Sequence, residues 1–347
     1  MKKNGVQLPD ALQETIFRLE EEYSEHYDIL NTEVTFCSGH EESGKIENFY
    51  RLEIKAVLKA DHVEQLDYYQ GVTRFCGEIA GDIGQTNDEQ NRLYMDMISS
   101  RQSEIYTQLQ EYIGKEQCLI FYIKESYPAD REEEKEILFE NVSDYISLEE
   151  MLPSGHEELQ RIGYFAMESI QSEYAANLQN VQLEQAGTVY SVDSAVAYMT
   201  KYTSNPTSCN VCGAGHCNAR VDTTKYNPQY HFHVSVGHHV DCANYVSQAL
   251  HAGGIETDDT WKPESLAWVN VSKLTEYMTK NNHWKSIDYT QVKRGDIASH
   301  TSYSHVVMIT SYDGVTYKFS SHTNDRKDAQ IAINSKTASE YHFYRVS

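Results

Sequence analysis

Asp241-Cys242-Ala243-Asn244-Tyr245-Val246-Ser247-Gln248-Ala249-Leu250-His251-Ala252-Gly253-Gly254 sets a cysteine at the head of a helix. Tyr245, Val246, Ala249 and Leu250 recur at helical spacing, and the glycine pair supplies a stop. Cys242 therefore falls in the first turn, where unpaired backbone N–H groups and the positive end of the helix dipole favour the thiolate, the nucleophilic form of cysteine. A small buried residue at a helix start is the plainer reading of the same stretch. Asp241 is expected to cap the helix, and Asn244 to be an interior polar residue that hydrogen-bonds near the cysteine.

Downstream, the pattern changes from helix to sheet. After an amphipathic segment at 271–278, Arg294-Gly295-Asp296 reads as a tight turn into a strand, with Asp296 fixing it. His305-Val306-Val307-Met308-Ile309-Thr310 is an apolar strand headed by a histidine, Tyr312-Asp313-Gly314 a hairpin turn, and 317–322 the returning strand, ending at His322. A hairpin of this kind brings His305 and His322 to the same end of the sheet. If the Cys242 helix packs across that sheet, its N-terminus faces His305. Thiol, imidazole and an orienting polar group are the components of nucleophilic acyl transfer, and the Cys242 backbone N–H is placed to hold an oxyanion. Taken together, the three residues favour catalysis; each histidine alone reads as a strand-edge residue.

Upstream, 192–202 reads as a helix that stops near Asn205-Pro206. Then comes Cys209-Asn-Val-Cys212-Gly-Ala-Gly-His216-Cys217. The C-x-x-C spacing lets two sulfurs turn toward one ion, with Cys217 and His216, or a histidine among His231, His233, His238 and His239, completing a structural zinc site. A disulfide or plain reduced thiols are the competing readings. Tyr226 and Tyr230 are candidates to line a substrate cleft, although 26 tyrosines in the chain make that residue type uninformative.

The first half is read differently. Helical spacing marks 9–26, 61–79, 88–113 and 155–178; strands are expected at 33–37, 49–59, 117–124 and 137–142, with a polar turn at 40–45. The result is an α+β layout, helices on a small antiparallel sheet, with no catalytic constellation. The expected organisation is an acidic α+β accessory domain at 1–180, a linker at 181–189, and a second domain at 190–347.

Charge divides the chain in the same way. Of 347 residues, those up to 187 hold 38 Asp and Glu against 15 Lys and Arg, while the rest hold 14 of each, so the whole net charge of −23 lies in the first half. Eleven of 15 histidines lie in the second. So acidic a chain repels nucleic acid and anionic lipid, and a solvated surface is the ordinary meaning of the charge. No run reaches the roughly 18 apolar residues of a membrane span, and the basic start lacks the apolar segment of a signal peptide.

Asp241-Cys242-Ala243-Asn244-Tyr245-Val246-Ser247-Gln248, Ala252-Gly253-Gly254, Gly295-Asp296, His305-Val306 and His322-Thr323-Asn324-Asp325-Arg326 occur in this order, and together they resemble an amidase family within the NlpC/P60 and CHAP group of papain-like cysteine hydrolases. Ala195-Val196-Ala197-Tyr198 and Tyr226-Asn227-Pro228 are similar to that family's opening segment. The resemblance covers about 190–346. It implies a papain-like domain of helices followed by an antiparallel sheet, with Cys242 as nucleophile, His305 as general base and His322 as the orienting third residue; Asn324 and Asp325 compete for the third role. It also implies cleavage of peptide amides in bacterial peptidoglycan, in a secreted or cell-wall location with the cytoplasm left open, and no cofactor for catalysis. A papain-like module without activity, whose acidic half recognises a partner, is the alternative. The Cys209 to Cys217 stretch departs from the family pattern.

Overall fold

An antiparallel sheet forms in each half, and the protein, described by a computed structural model, is mixed α+β. The structure describes residues 2–3, 6–83, 89–142, 144–180, 190–211, 219–235 and 238–346. The expected linker at 181–189 lies outside the described residues, as do Cys212, His216 and Cys217.

In the first half, α1 (Asp10–Tyr23) buries Leu12, Ile16, Leu19 and Tyr23 along one face. The hairpin that follows joins β1 (Tyr27–Glu42) to β2 (Lys45–Leu58) through Ser43 and Gly44, both at positive φ. These strands pair onward with β3 (Glu116–Pro128), β4 (Glu136–Asn141) and β5 (Asp144–Ile146) in a five-stranded antiparallel sheet ordered β1-β2-β3-β4-β5. The expectation of a small sheet was too modest, and the strand expected at 33–37 runs from Tyr27 to Glu42. The cause is β1's place at the sheet edge. Only Tyr27 and Val34 of it are buried, so its remaining positions carry no apolar period from which a boundary could be read.

Three long helices accompany this sheet: α2 (Asp67–Ile83), α3 (Glu89–Gln110) and α4 (His156–Asn180). α2 and α4 cross backbone to backbone. A Cβ at Gly71 would lie 1.9 Å from the Gln160 carbonyl oxygen, and one at Gly163 would lie 1.8 Å from that of Tyr68.

In the second half, α5 (Val192–Lys201), α6 (Cys242–Ala252) and α7 (Val271–Lys280) precede all six strands of the sheet. The strands are β6 (Trp284–Ile287), β7 (Ile297–His300), β8 (Val306–Tyr312), β9 (Tyr317–Ser321), β10 (Arg326–Ile331) and β11 (Tyr341–Val346), ordered β6-β11-β7-β8-β9-β10 and antiparallel throughout. The turn between β8 and β9 is held by Asp313, whose Oδ1 accepts from the N–H groups of Val315 and Thr316, with Gly314 at φ 93°. Asp296 holds the turn into β7 as expected: its carboxylate accepts from the Lys293 N–H at 2.8 Å and from Arg345 at 3.0 Å.

Both faces of this second sheet are buried. Ile297, Val306 and Met308 pack with α5, α6, α7 and the fully buried Trp261 and Trp268. Ala298, Val307, Ile309, Tyr317 and Phe319 face the other way, into one hydrophobic cluster with Leu12, Tyr27, Leu52, Phe121 and Phe139 of the first half. The two halves therefore share a core across the back of the sheet. Among the described residues, no helix is long and apolar enough to cross a membrane.

The helix crossing generates a paired prediction. Gly163→Ala should destabilise the protein by about 1–3 kcal/mol or more, because the backbone it would strike cannot swing aside. Gly77→Ala, with nothing within 4 Å of its added carbon, should gain up to about 1 kcal/mol of helix stability. Denaturant midpoints of the two variants check this, and equal effects would contradict the crossing.

Candidate active site

Cys242 is the first residue of α6 and is only 5% exposed. Its Sγ lies 3.9 Å from the Ser304 carbonyl oxygen, to which the thiol donates. Burial pushes the thiol's pKa up to about 11, while the N–H groups of Val306 and Ala243 and the hydroxyl of Thr323 pull the other way and the Asp241 carboxylate adds to the rise. In this state Cys242 is a protonated thiol ringed by groups that would stabilise a thiolate.

Asp241 precedes it, 2% exposed, and does not cap the helix with its side chain as expected. The carboxylate is committed elsewhere. Oδ2 lies 2.7 Å from His322 Nδ1, and Oδ1 accepts from the His233 N–H at 3.0 Å and from Asn244 Nδ2 at 2.8 Å. Asn244 is fully used: Nδ2 also donates to the His231 carbonyl, and Oδ1 accepts from Trp268 Nε1 at 2.8 Å. Tyr230 stacks on the same Trp268, with ring centres 5.9 Å apart. Asp241 and Asn244 thus tie the start of α6 to the loop before it.

His322 is buried between two tyrosine rings, Tyr245 at 3.5 Å and Tyr226 at 3.6 Å, both nearly parallel to it. Its Nδ1 meets the Asp241 carboxylate and its Nε2 the Tyr202 carbonyl at 2.8 Å. Both partners are acceptors, so the ring satisfies both contacts only with a proton on each nitrogen. It makes no bond to His305 among the described contacts; it orients Asp241, beside the thiol. Asn324 and Asp325, the other candidates for a third residue, also point elsewhere. Asn324 bonds the Arg220 N–H and Glu140, and Asp325 takes the Tyr226 hydroxyl at 2.6 Å and the Asp222 N–H at 2.8 Å.

His305 stands at the same end of the sheet as His322, on the opposite face. Alternation along β8 sets it with Val307 and Ile309, whereas Val306 and Met308 face α6. Its ring is buried, and burial lowers its pKa from 6.5 to about 4, with Glu140, His300 and Arg326 also acting on it. Nε2 has no hydrogen-bond partner among the described residues. Nearby, Glu140 bridges Arg220 and Arg326, all three buried, and Arg326 lies 3.6 Å over the Tyr122 ring. Burial opposes Glu140's charge, but the two guanidiniums overcome it and keep its pKa below the ordinary value. The expected approach of the α6 N-terminus to His305 is therefore met by backbone alone: Sγ abuts Ser304 and Val306, the residues on either side of it.

Thr323 is the site residue that sequence reasoning missed. It is β-branched yet sits at φ 87°, a conformation that costs of order 1–3 kcal/mol, and its Oγ1 accepts from the Asp241 N–H at 3.0 Å. No pattern in the sequence signals such a backbone angle. Tyr245 was legible as a helix-face residue but not as half of a ring sandwich. In the cysteine-rich stretch, Cys209 is buried with Sγ 3.3 Å from His239 Nε2, and its proposed co-ligands Cys212, His216 and Cys217 lie outside the described residues. Cys37, Cys76 and Cys118 are free and half-buried.

Residues 189–344 match the family described as "Putative amidase domain". This match supports an amidase-like family for the C-terminal half. Among curated proteins, "Uncharacterized protein YjcM" of Bacillus subtilis (strain 168) is 38% identical over 78 residues, 21% of this chain and 19% of that protein. The match thus spans less than a fifth of its relative's length. No solved structure matches.

The buried, neutral His305 makes stability depend on pH. Its folded-state pKa of about 4 lies below the 6.5 of an ordinary histidine, so the unfolded chain takes the proton first. Stability should fall as pH drops below about 6.5, with the loss complete below about 4. His305→Gln should make this fall shallower by about 1 kcal/mol per pH unit, read from urea midpoints across the window. An unchanged slope would contradict the buried placement.

Proposed function

We propose that residues 190–347 form a cysteine amidohydrolase of papain-like type, in which the Cys242 thiolate attacks an amide carbonyl, the C–N bond breaks, the amine leaves with the proton first taken from the thiol, and water hydrolyses the resulting thioester to a carboxylic acid and free Cys242. The observation that carries this reading is the setting of Cys242 Sγ: the first turn of a helix, with the N–H groups of Ala243 and Val306 and the Thr323 hydroxyl directed at it. Those donors suit a thiolate and, later, an oxyanion.

A general base needs a free lone pair. Both nitrogens of His322 are committed, whereas His305 is neutral with an unpartnered Nε2, which favours His305. To take the thiol proton, His305 must change face, which needs its backbone at the head of β8 to turn together with its ring, and the described state is then a resting one. His322 is the positioning residue: through Asp241 it fixes the residue preceding the nucleophile. The proposed substrate class is a peptide amide of bacterial peptidoglycan, as the family resemblance implies, encountered outside the cytoplasm. Catalysis as proposed uses no cofactor, and zinc at Cys209 and its neighbours would be structural.

A second reading rests on the same geometry. With its thiol held near pKa 11 and no imidazole bonded to it among the described residues, the domain suits a binding module that has lost turnover. Hydrolysis of peptidoglycan fragments, followed by release of new amino groups, separates the two. Cys242→Ala should abolish turnover, His305→Gln should lower kcat by about a hundredfold or more, and His322→Gln should lower it less. Equal turnover in wild type and Cys242→Ala would overturn the cysteine mechanism, and a wild type without turnover would favour the binding module.

A further inference from the structure

Away from Cys242, three residues distant in sequence converge on the first half. His26 follows α1, Asp67 opens α2 and His156 opens α4. One potential ligand atom from each lies within 4.8 Å of the other two. His156 Nδ1 is 2.6 Å from Asp67 Oδ2, and the rings of His26 and His156 are 5.4 Å apart, centre to centre. We propose that His26, Asp67 and His156 bind a first-row divalent cation of the zinc class.

Donor chemistry supports this first. Two imidazoles and one carboxylate are a ligand set that holds zinc with a fourth position left to water. Ligand atoms on one tetrahedral zinc stand about 3.3 Å apart, so His156 Nδ1 and Asp67 Oδ2 must open slightly from 2.6 Å while the wider separations, up to 4.8 Å, close. The ion would take the place of the proton now between His156 Nδ1 and Asp67 Oδ2, and that proton would pass to solvent or to the ring's other nitrogen. Nothing needs to leave the fold.

The scaffold is built to hold these donors. Asp67 and His156 sit at the starts of the two helices whose backbones touch at Gly71 and Gly163, so their separation is fixed by the crossing. His26 is pinned by its own backbone, its N–H donating to the Tyr23 carbonyl and its carbonyl accepting from the Lys59 N–H at 2.9 Å. Gln160 Nε2 donates to Asp67 Oδ1 at 3.0 Å, orienting the carboxylate in the way that outer partners orient metal ligands. Exposure grades across the site: His156 is exposed, His26 and Asp67 half-buried, which gives an ion a path in.

The site would clip the turn after α1 to the α2/α4 pair, the layer lying behind the second sheet. Metal content of the full chain after equilibrium dialysis against zinc sulfate, measured by mass spectrometry, tests it. Wild type should hold one zinc equivalent more than Asp67→Asn and one more than His156→Gln, whatever the cysteine stretch binds in all three. Zinc should also raise the melting temperature of wild type more than that of His156→Gln, an exposed substitution that leaves the fold intact. Equal zinc content in the three proteins, or none in wild type, would overturn the proposal.

Discussion

Burial of both faces of one antiparallel sheet is the constraint from which most of this structure follows. In a strand covered on both sides, neighbouring residues must serve two different cores. Val306 and Met308 fill the core beneath α6, while Val307 and Ile309 fill the one shared with the first half. A single step along β8 thus separates the environment of Cys242 from that of His305. The thiol meets the backbone on either side of His305, while the buried ring feels the charges of Glu140 and Arg326.

The back of the sheet also accounts for how an acidic half attaches to a neutral one. Attachment is mainly apolar, through residues such as Tyr27, Phe121 and Phe139 against Tyr317 and Phe319. The charge that is buried there is matched: Glu140 from the first half lies between Arg220 and Arg326 from the second. Removing one member of such a cluster leaves an unpaired charge out of water, so this contact fixes one arrangement of the halves more than it adds to stability. The surplus acidic residues remain on the surface, where solvent screens them.

Periodicity made much of this readable beforehand. The Cys242 helix, the β8–β9 hairpin and its Asp313-Gly314 turn were all evident, because apolar spacing and turn residues act locally. The extent of β1 was not, since an edge strand with few buried positions carries little pattern. Which face a residue takes at a strand end is harder still. His305 precedes the first residue of β8, in a sheet buried on both faces, so the apolar pattern of its neighbours does not say which face meets α6. Likewise the pairing of His322 with Asp241 depends on the Thr323 backbone angle and on the ring stack of Tyr226 and Tyr245. None of these has a linear signature.

The central claim is that Cys242 is a nucleophile whose proton passes to His305 once that ring turns toward it. Its most direct measurement is the pH dependence of Cys242 alkylation by a thiol-reactive probe, mapped by peptide mass, in wild type and in His305→Ala. The account predicts labelling of wild type well below the roughly pH 8.5 of an ordinary thiol, and loss of that reactivity in the variant. Labelling of both proteins that rises only above the ordinary thiol range, toward the buried thiol's pKa of about 11, would contradict it.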